Sequence, residues 1–408
     1  MNATALVFKE RKIMKFTKGS YITTLPCGNQ CSQECFADVS ENNAKEYISA
    51  LLENGYTQNE ITTPNGNIFT TLTDNKGLIH LSYFKHDNTL KILHDPLKET
   101  VYKIAEPQYK KITNTTLAIV PLDYAHREIA DAHGMSYVIT LEDGRYIIID
   151  GGYGDYVRKN VKTETHDAEI LYEYLQKNNK RCDDILIAAW IFTHPHEDHY
   201  GAFTKFSKLY GNDVEIQYFI FNNGDFSTYS DQYPPDDFLQ KKFPEIIKSS
   251  FPNSKTIKPH IGQSISFCNL KLTAIFTQET CIPYFKPAAN DASLVLRITV
   301  NEKSVLFMAD CDTASTNLIT TIYQNSLKSD YMQVNHHGYS GATCVLYDYV
   351  SPEYTLWTTS KIAFDKRVSG EKYGFIGNAV ESNKYIFDKL GYERCLIADG
   401  NVQHIVFS

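Results

Sequence analysis

The stretch Thr193-His194-Pro195-His196-Glu197-Asp198-His199-Tyr200-Gly201 constrains this chain more than any other. Three histidines and an aspartate, all able to ligate a metal, fall within six positions there. Ahead of it runs Ile185–Phe192, an unbroken apolar segment that reads as a buried strand. The chain has 13 His in 408 residues, so three within six positions beside an Asp do not follow from composition. Imidazole and carboxylate are ligands that zinc and manganese accept. Side chains two apart in extended chain point to one side, so His194 and His196 can hold one ion. Asp198 and His199 follow where the chain turns and can face a second.

The spacing His194-x-His196-x-Asp198-His199 resembles the signature of the metallo-β-lactamase fold superfamily. That family carries five motifs in order, of which this is the second. The first is an acid at a strand end, and Ile147-Ile148-Ile149-Asp150-Gly151-Gly152 supplies it. The resemblance gives Asp150 the task of orienting the ligand histidines, since metal-bound imidazoles need a partner for the other ring nitrogen. The fourth motif is a bridging carboxylate, matched by Asp310 after Val305–Ala309, with Asp312 as the alternative. Two carboxylate oxygens can tie two cations together. The fifth is matched by Asn335-His336-His337-Gly338, with His337 the ligand and His336 beside it or facing substrate. The third motif, a lone histidine, is where the chain departs. His260 alone lies in that interval, early and in a turn-like segment. The first ion therefore has fewer ligands in view, and a single-metal enzyme stays open.

The resemblance implies a four-layered αββα sandwich over about residues 113–408. Within the family, His336-His337-Gly338 and Asn290–Arg297 look like the branch holding the ComEC hydrolase domain and the phosphorylcholine esterase, which acts on phosphodiester-type bonds. It further implies Zn2+, one or two ions, with Mn2+ or Fe as substitutes. His194, His196 and Asp310 would hold the first ion. Asp198, His199, Asp310 and His337 would hold the second. A metal-bound hydroxide would attack the ester, with Asp198 also able to accept a proton. The same ligands would serve a lactone or acyl ester hydrolase, or a ComEC-like nuclease. Di-iron redox members of the family carry a flavodoxin-like domain, and none is visible here.

Bulk composition narrows the partners. A net charge of −8, with no basic run longer than a pair such as Lys241-Lys242, weighs against nucleic acid without excluding it, and the resemblance implies a small-molecule or ester substrate. No apolar run approaches the roughly 20 residues of a membrane span. Met1–Lys12 does not read as a signal peptide. Nine scattered Cys, an odd number, argue against a disulfide framework and for a reducing cytoplasm. Cys27, Cys31 and Cys35 are spaced by threes, unlike zinc ribbons, and read as surface or semi-buried thiols sooner than as a small metal site. Oligomeric state has no sequence signal.

Two domains are expected: an α+β module over 1–110 and a hydrolase domain over 111–408. The module should comprise a helix over 43–54, stopped at Gly55, and a meander of strands 68–72, 78–84 and 90–93. It reads as a packing or dimerisation appendage. Asp95-Pro96 and Glu106-Pro107 read as a linker. Beyond it, strands alternate with helices over 167–176, 237–249, 313–323 and 379–390. The loops Gly152–Tyr156 and Asn222–Pro235, together with Tyr339, are candidates to line the substrate pocket, where aromatic rings could cage a choline group.

Overall fold

The computed structural model describes residues 14–407 except 29, 75, 98–99, 102, 105, 123–133, 154–166, 182–183, 225–229, 231–241 and 371–378. Three sheets organise it. The first is built from β1 (Ser20–Pro26), β2 (Ser32–Ala37), β3 (Thr57–Thr62), β4 (Ile68–Asp74), β5 (Gly77–Phe84) and β6 (Thr89–Asp95), in the order β1-β2-β6-β5-β4-β3. Every pairing in it is antiparallel. Helix α1 (Glu41–Glu53) covers one face with Ala44, Tyr47, Ile48 and Leu51. The Ser40 hydroxyl caps it by accepting the Asn43 amide, and Gly55 ends it with φ +89°. Six strands stand where the sequence suggested three, and of the added ones β3 has a single apolar residue, Ile61.

The second sheet contains β7 (Thr100–Val101), β8 (Thr115–Ile119), β9 (Tyr137–Thr140), β10 (Tyr146–Ile149), β11 (Ile185–Ile191), β12 (Val214–Ile220), β13 (Lys255–Ile257) and β21 (Gln403–Phe407). The third contains β14 (Ser264–Phe267), β15 (Leu270–Phe276), β16 (Val295–Val300), β17 (Lys303–Phe307), β18 (Tyr331–Gln333), β19 (Tyr354–Trp357) and β20 (Cys395–Ile397). Alternation sorts the side chains of β10. Ile147 and Ile149 enter the core between the two sheets, whereas Tyr146 and Ile148 face α2 (Asp167–Asn178), α3 (Glu197–Tyr210) and α4 (Phe243–Ser250). On the far side, α5 (Thr313–Tyr323), α6 (Cys344–Val350), α7 (Lys361–Val368) and α8 (Ala379–Leu390) cover the third sheet. The layering is helix, sheet, sheet, helix, the αββα sandwich expected. Burying each Ile, Leu or Phe of these cores stabilises by roughly 1.5–3 kcal/mol. The helices expected at 313–323 and 379–390 form as read. The one expected at 237–249 forms from Phe243 on, and residues 237–241 lie outside the described set. No described helix is long and apolar enough to cross a membrane.

The expected linker is no free tether. Its β7 pairs with β13 in the second sheet, and Glu106 is ion-paired with buried Arg145 at 2.7 Å. The first sheet's second face packs on the rest of the chain. Phe69 and Phe84 join the core beneath the third sheet. Lys91, 2% exposed, donates to the carbonyl of Thr280 at 2.7 Å. Asn67 donates to the carbonyl of Ile322 at 2.7 Å and Gln33 to that of Glu279 at 3.0 Å. Within this interface His260 lies 2.9 Å from Glu279 and stacks on His80. Cys27, Cys31 and Cys35 are all buried, not surface or semi-buried, because their hairpin is pressed into the same interface. Burial pushes the Cys31 thiol up to about 12, so it stays protonated.

Candidate metal centre

The centre forms where strand ends of the two stacked sheets meet. Strand β11 ends at Ile191, and Phe192 and Thr193 lead into His194. Helix α3 then starts at Glu197, with His196 as its N-cap and Asp198 and His199 in its first turn. Opposite, β17 delivers Asp310, and β18 leads to the short turn Asn335–Gly338.

Asp310 is the hub. Its Oδ2 lies 3.3 Å from His199 Nε2, 3.6 Å from His336 Nε2, 3.7 Å from His337 Nε2 and 3.8 Å from His194 Nε2. Asp198 Oδ2 is 3.1 Å from His337 Nε2 and 3.6 Å from His199 Nε2. His194 Nε2 is 3.1 Å from His196 Nδ1. Ligands about 2.0–2.2 Å from a tetrahedral cation sit roughly 3.3–3.6 Å from each other, so these spacings suit one. Among the described residues two groups have all ligand atoms within 4.8 Å of one another. They are Asp198, His199, Asp310 and His337, and His194, His196 and Asp310. Both share Asp310. His199 Nε2 and Asp310 Oδ1 are buried without a hydrogen-bond partner, which a cation between them would remedy. The residues therefore fit a pair of divalent cations.

Asp150 holds the motif in place. Its Oδ1 accepts the Thr193 amide at 2.8 Å, and its Oδ2 accepts the Thr193 hydroxyl at 2.7 Å. The same Oδ2 lies 2.8 Å from His199 Nδ1. A buried carboxylate can only accept, so Nδ1 carries the hydrogen and Nε2 presents its lone pair to Asp310. His337 is set the same way, with Nδ1 3.1 Å from the Thr358 carbonyl oxygen. Burial holds His194 well below the ordinary imidazole range, with the charge of His199 adding to it. Burial would lower His199 too, but the carboxylates of Asp310, Asp198 and Asp150 outweigh it and hold His199 up. Asp310 is held well down by His199, His337, His336 and His194 despite its burial.

Several residues of the centre have left-handed backbone. Asp150, Ala309, His336 and His337 all have positive φ, between 46° and 57°. Gly152 has φ +85°, and a Cβ there would stand 2.5 Å from Asp167 Oδ2. Arg367 donates to the His337 carbonyl and Asn383 to that of Gly338 at 2.7 Å, pinning the strained turn.

Residues 131–225 match the model of the Metallo-beta-lactamase superfamily, a span that holds Asp150 and the histidine cluster. The layered sheets form a sandwich of that type. No characterised protein matches by sequence. Solved structures with partial overlap include CmlA, a diiron beta-hydroxylase from Streptomyces venezuelae, at 10% identity and TM-score 0.42, covering 74% of this chain. This chain spans only 55% of the hydroxylase's length. Unliganded yeast PDE1 overlaps at 10% identity and TM-score 0.39, over 73% of this chain and 100% of its own. A metallo-beta-lactamase from Cronobacter sakazakii overlaps at 14% identity and TM-score 0.30, over 63% and 91%.

The structure brings His194, His196, Asp198, His199, Asp310 and His337 together, with Asp150 behind them, and sets His336 3.6 Å from Asp310 but outside both groups. It leaves out His260, which is committed to Glu279 in the interface. Asp312 also lies outside both groups, its Oδ1 accepting the Ser340 hydroxyl. Tyr339 packs its ring over the Arg367 guanidinium, 3.9 Å from centroid to charge. The proposed pocket loops fall partly outside the described residues, at 154–156, 225–229 and 231–235. Sequence reasoning missed Thr193 and Thr358. Thr193 adjoins His194 and was open to suspicion, whereas Thr358 is 21 residues from the ring it meets.

Proposed function

We propose that this protein is a metal-dependent hydrolase of phosphodiesters or phosphate esters. The observation that carries the reading is the pair of ligand groups sharing Asp310. His194, His196 and Asp310 would hold one cation, and Asp198, His199, Asp310 and His337 would hold the other. Bound there, such cations supply Lewis acidity and bring the pKa of water toward neutrality. The chain's own residues set the rest. Asp150 and Thr358 fix the ring tautomers of His199 and His337. Asp310, buried and charged, keeps the histidine nitrogens converged. Asp198 keeps 13% of its side chain exposed and takes the proton from the attacking water. The phosphoester preference rests on the His336-His337-Gly338 form and its resemblance to phosphodiester-cleaving members of the family.

The test is a substrate panel on zinc- and manganese-loaded protein: bis-p-nitrophenyl phosphate, p-nitrophenyl phosphorylcholine and a homoserine lactone. Phosphoester cleavage that a chelator abolishes is expected. Lactone turnover with no phosphoester turnover would move the reading to acyl chemistry.

A further inference from the structure

We infer that Glu279 and Asn222 are positioning residues of the site: the first sheet fixes the turn Gln278–Thr280, and Glu279 in that turn holds Asn222 and with it the end of β12 beside the metal ligands. What the held segment does for substrate rests on the hydrolase reading above, whereas the relay of contacts does not.

The first ground is topology. Strands β10, β11, β12 and β13 run parallel, each beside the next. Their carboxyl ends therefore fall on one edge. Asp150 directly follows β10, His194 and Asn222 follow β11 and β12, and His260 follows β13. Ligands of parallel sheets bind outside the carboxyl ends of the strands. Along that edge Asn222 and Asn223 come next after the metal motif. Asn223 reaches back toward it, with Nδ2 3.0 Å from the hydroxyl oxygen of Tyr200, the neighbour of His199. The end of β12 is thus joined to the first turn of α3, which carries Asp198 and His199.

The second ground is the bonding of Asn222. Its Nδ2 donates to the two carboxylate oxygens of Glu279 at 2.8 and 2.9 Å and to the Pro259 carbonyl at 2.7 Å. Three acceptors around one NH2 group allow the amide a single orientation. Burial would raise the Glu279 carboxyl, but His260 and then Lys258 outweigh it and hold it well down. The link is therefore a buried, charged one. Apolar residues of similar shape would pack such an interface as firmly. What the polar link adds is a fixed position for the end of β12.

The third ground is where the link is anchored. Gln33 of β2 donates to the Glu279 carbonyl at 3.0 Å, and Lys91 of β6 to the Thr280 carbonyl at 2.7 Å. A Cβ on Gly224 would stand 2.5 Å from Gln278 Oε1, so the chain leaving β12 runs against the same turn. The turn meets the first sheet with its main chain and the end of β12 with its side chains.

The test compares wild type, Asn222→Ala and Gln33→Leu as full-length, zinc-loaded protein. Neither residue belongs to a ligand group, so zinc content should match wild type in both variants. With bis-p-nitrophenyl phosphate as the probe, KM should rise about 10-fold in Asn222→Ala and about 3-fold in Gln33→Leu, with kcat within about 2-fold of wild type. Amide hydrogen exchange should quicken over residues 214–224 and 197–202 in both, and stay at wild-type rates over 146–149 and 295–300. Gln33→Leu carries the test if Asn222→Ala fails to fold. Wild-type exchange over 214–224, or faster exchange in all four segments alike, overturns the inference. So does a wild-type KM in folded Asn222→Ala. A wild type that cleaves none of the probe removes the hydrolase reading, and the exchange rates then decide the relay by themselves.

Discussion

Asp150 Oδ2 stands 2.8 Å from Nδ1 of His199, and neither side chain reaches solvent. The same carboxylate accepts both donors of Thr193, so all of its partners are donors. Asp150→Asn would place an NH2 group against one of them. The buried clash costs about 1–3 kcal/mol, and the misoriented His199 ring weakens its cation 10–100-fold. Zinc titration and a thermal melt of the variant check both effects together.

Asp198 makes a sharper case, since it is offered both as ligand and as proton acceptor. Asp198→Asn should abolish turnover and release the cation shared with His199 and His337. The fold should survive, because the side chain is at the rim and not in a core. Activity assays with metal analysis read this directly, and a fully active variant would sink the hydrolase reading.

Much of the centre was legible because its signals are local. Ile185–Phe192 announces a buried strand, and the ligands follow within seven residues. Helix α5 shows its own period, and so does α8. The polar edge strand Thr57–Thr62 was not legible, because alternate exposure of Thr, Gln, Asn and Glu resembles a loop until a partner strand is known. Nor was β7, two residues inside what read as a linker, held only by β13 more than 150 positions away. Cys27, Cys31 and Cys35 are buried by a docking event between distant parts of the chain. The orientation of His336 depends on left-handed backbone, and histidine gives no advance sign of adopting it.

The interface between the first sheet and the rest should loosen in acid, and His80 is the reason. Burial, helped by the charge of His260, lowers its pKa to about 3 from 6.5. Below pH 6.5 the unfolded chain takes up a proton that the folded one refuses, so stability falls, by at most about 1.4 kcal/mol per pH unit. His260 works the other way. Its raised pKa gives stability that is complete below 6.5 and lost only as pH rises through the folded value. Glu279, held low mainly by His260 against its burial, keeps its contribution until pH drops below about 4.5. Between pH 6.5 and 4.5 His80 is therefore the group of these three that destabilises. The loss of Tm from pH 7 to pH 5 should be smaller in His80→Gln than in wild type, the other histidines being common to both.

Removing residues 1–110 should leave a fragment that does not stay soluble. The cut would bare Ile261, Ile275 and Tyr323, each no more than 4% exposed in the whole chain and packed in one core with Phe69 and Phe84. It would also strip the carbonyls of Thr280 and Ile322 of their donors. Glu279, in the same turn as Thr280, accepts from Asn222 at 2.8 Å, so loss of the module reaches the end of β12 beside the metal-bearing strand. A milder probe is Lys91→Met, which keeps the volume but leaves the Thr280 carbonyl unpaired, at a cost of about 1–3 kcal/mol. That variant should melt several degrees lower yet hold its cations. Sedimentation of the fragment and melts of Lys91→Met give the answer. A monodisperse 111–408 fragment with a wild-type metal content would show that the first sheet is dispensable to the centre.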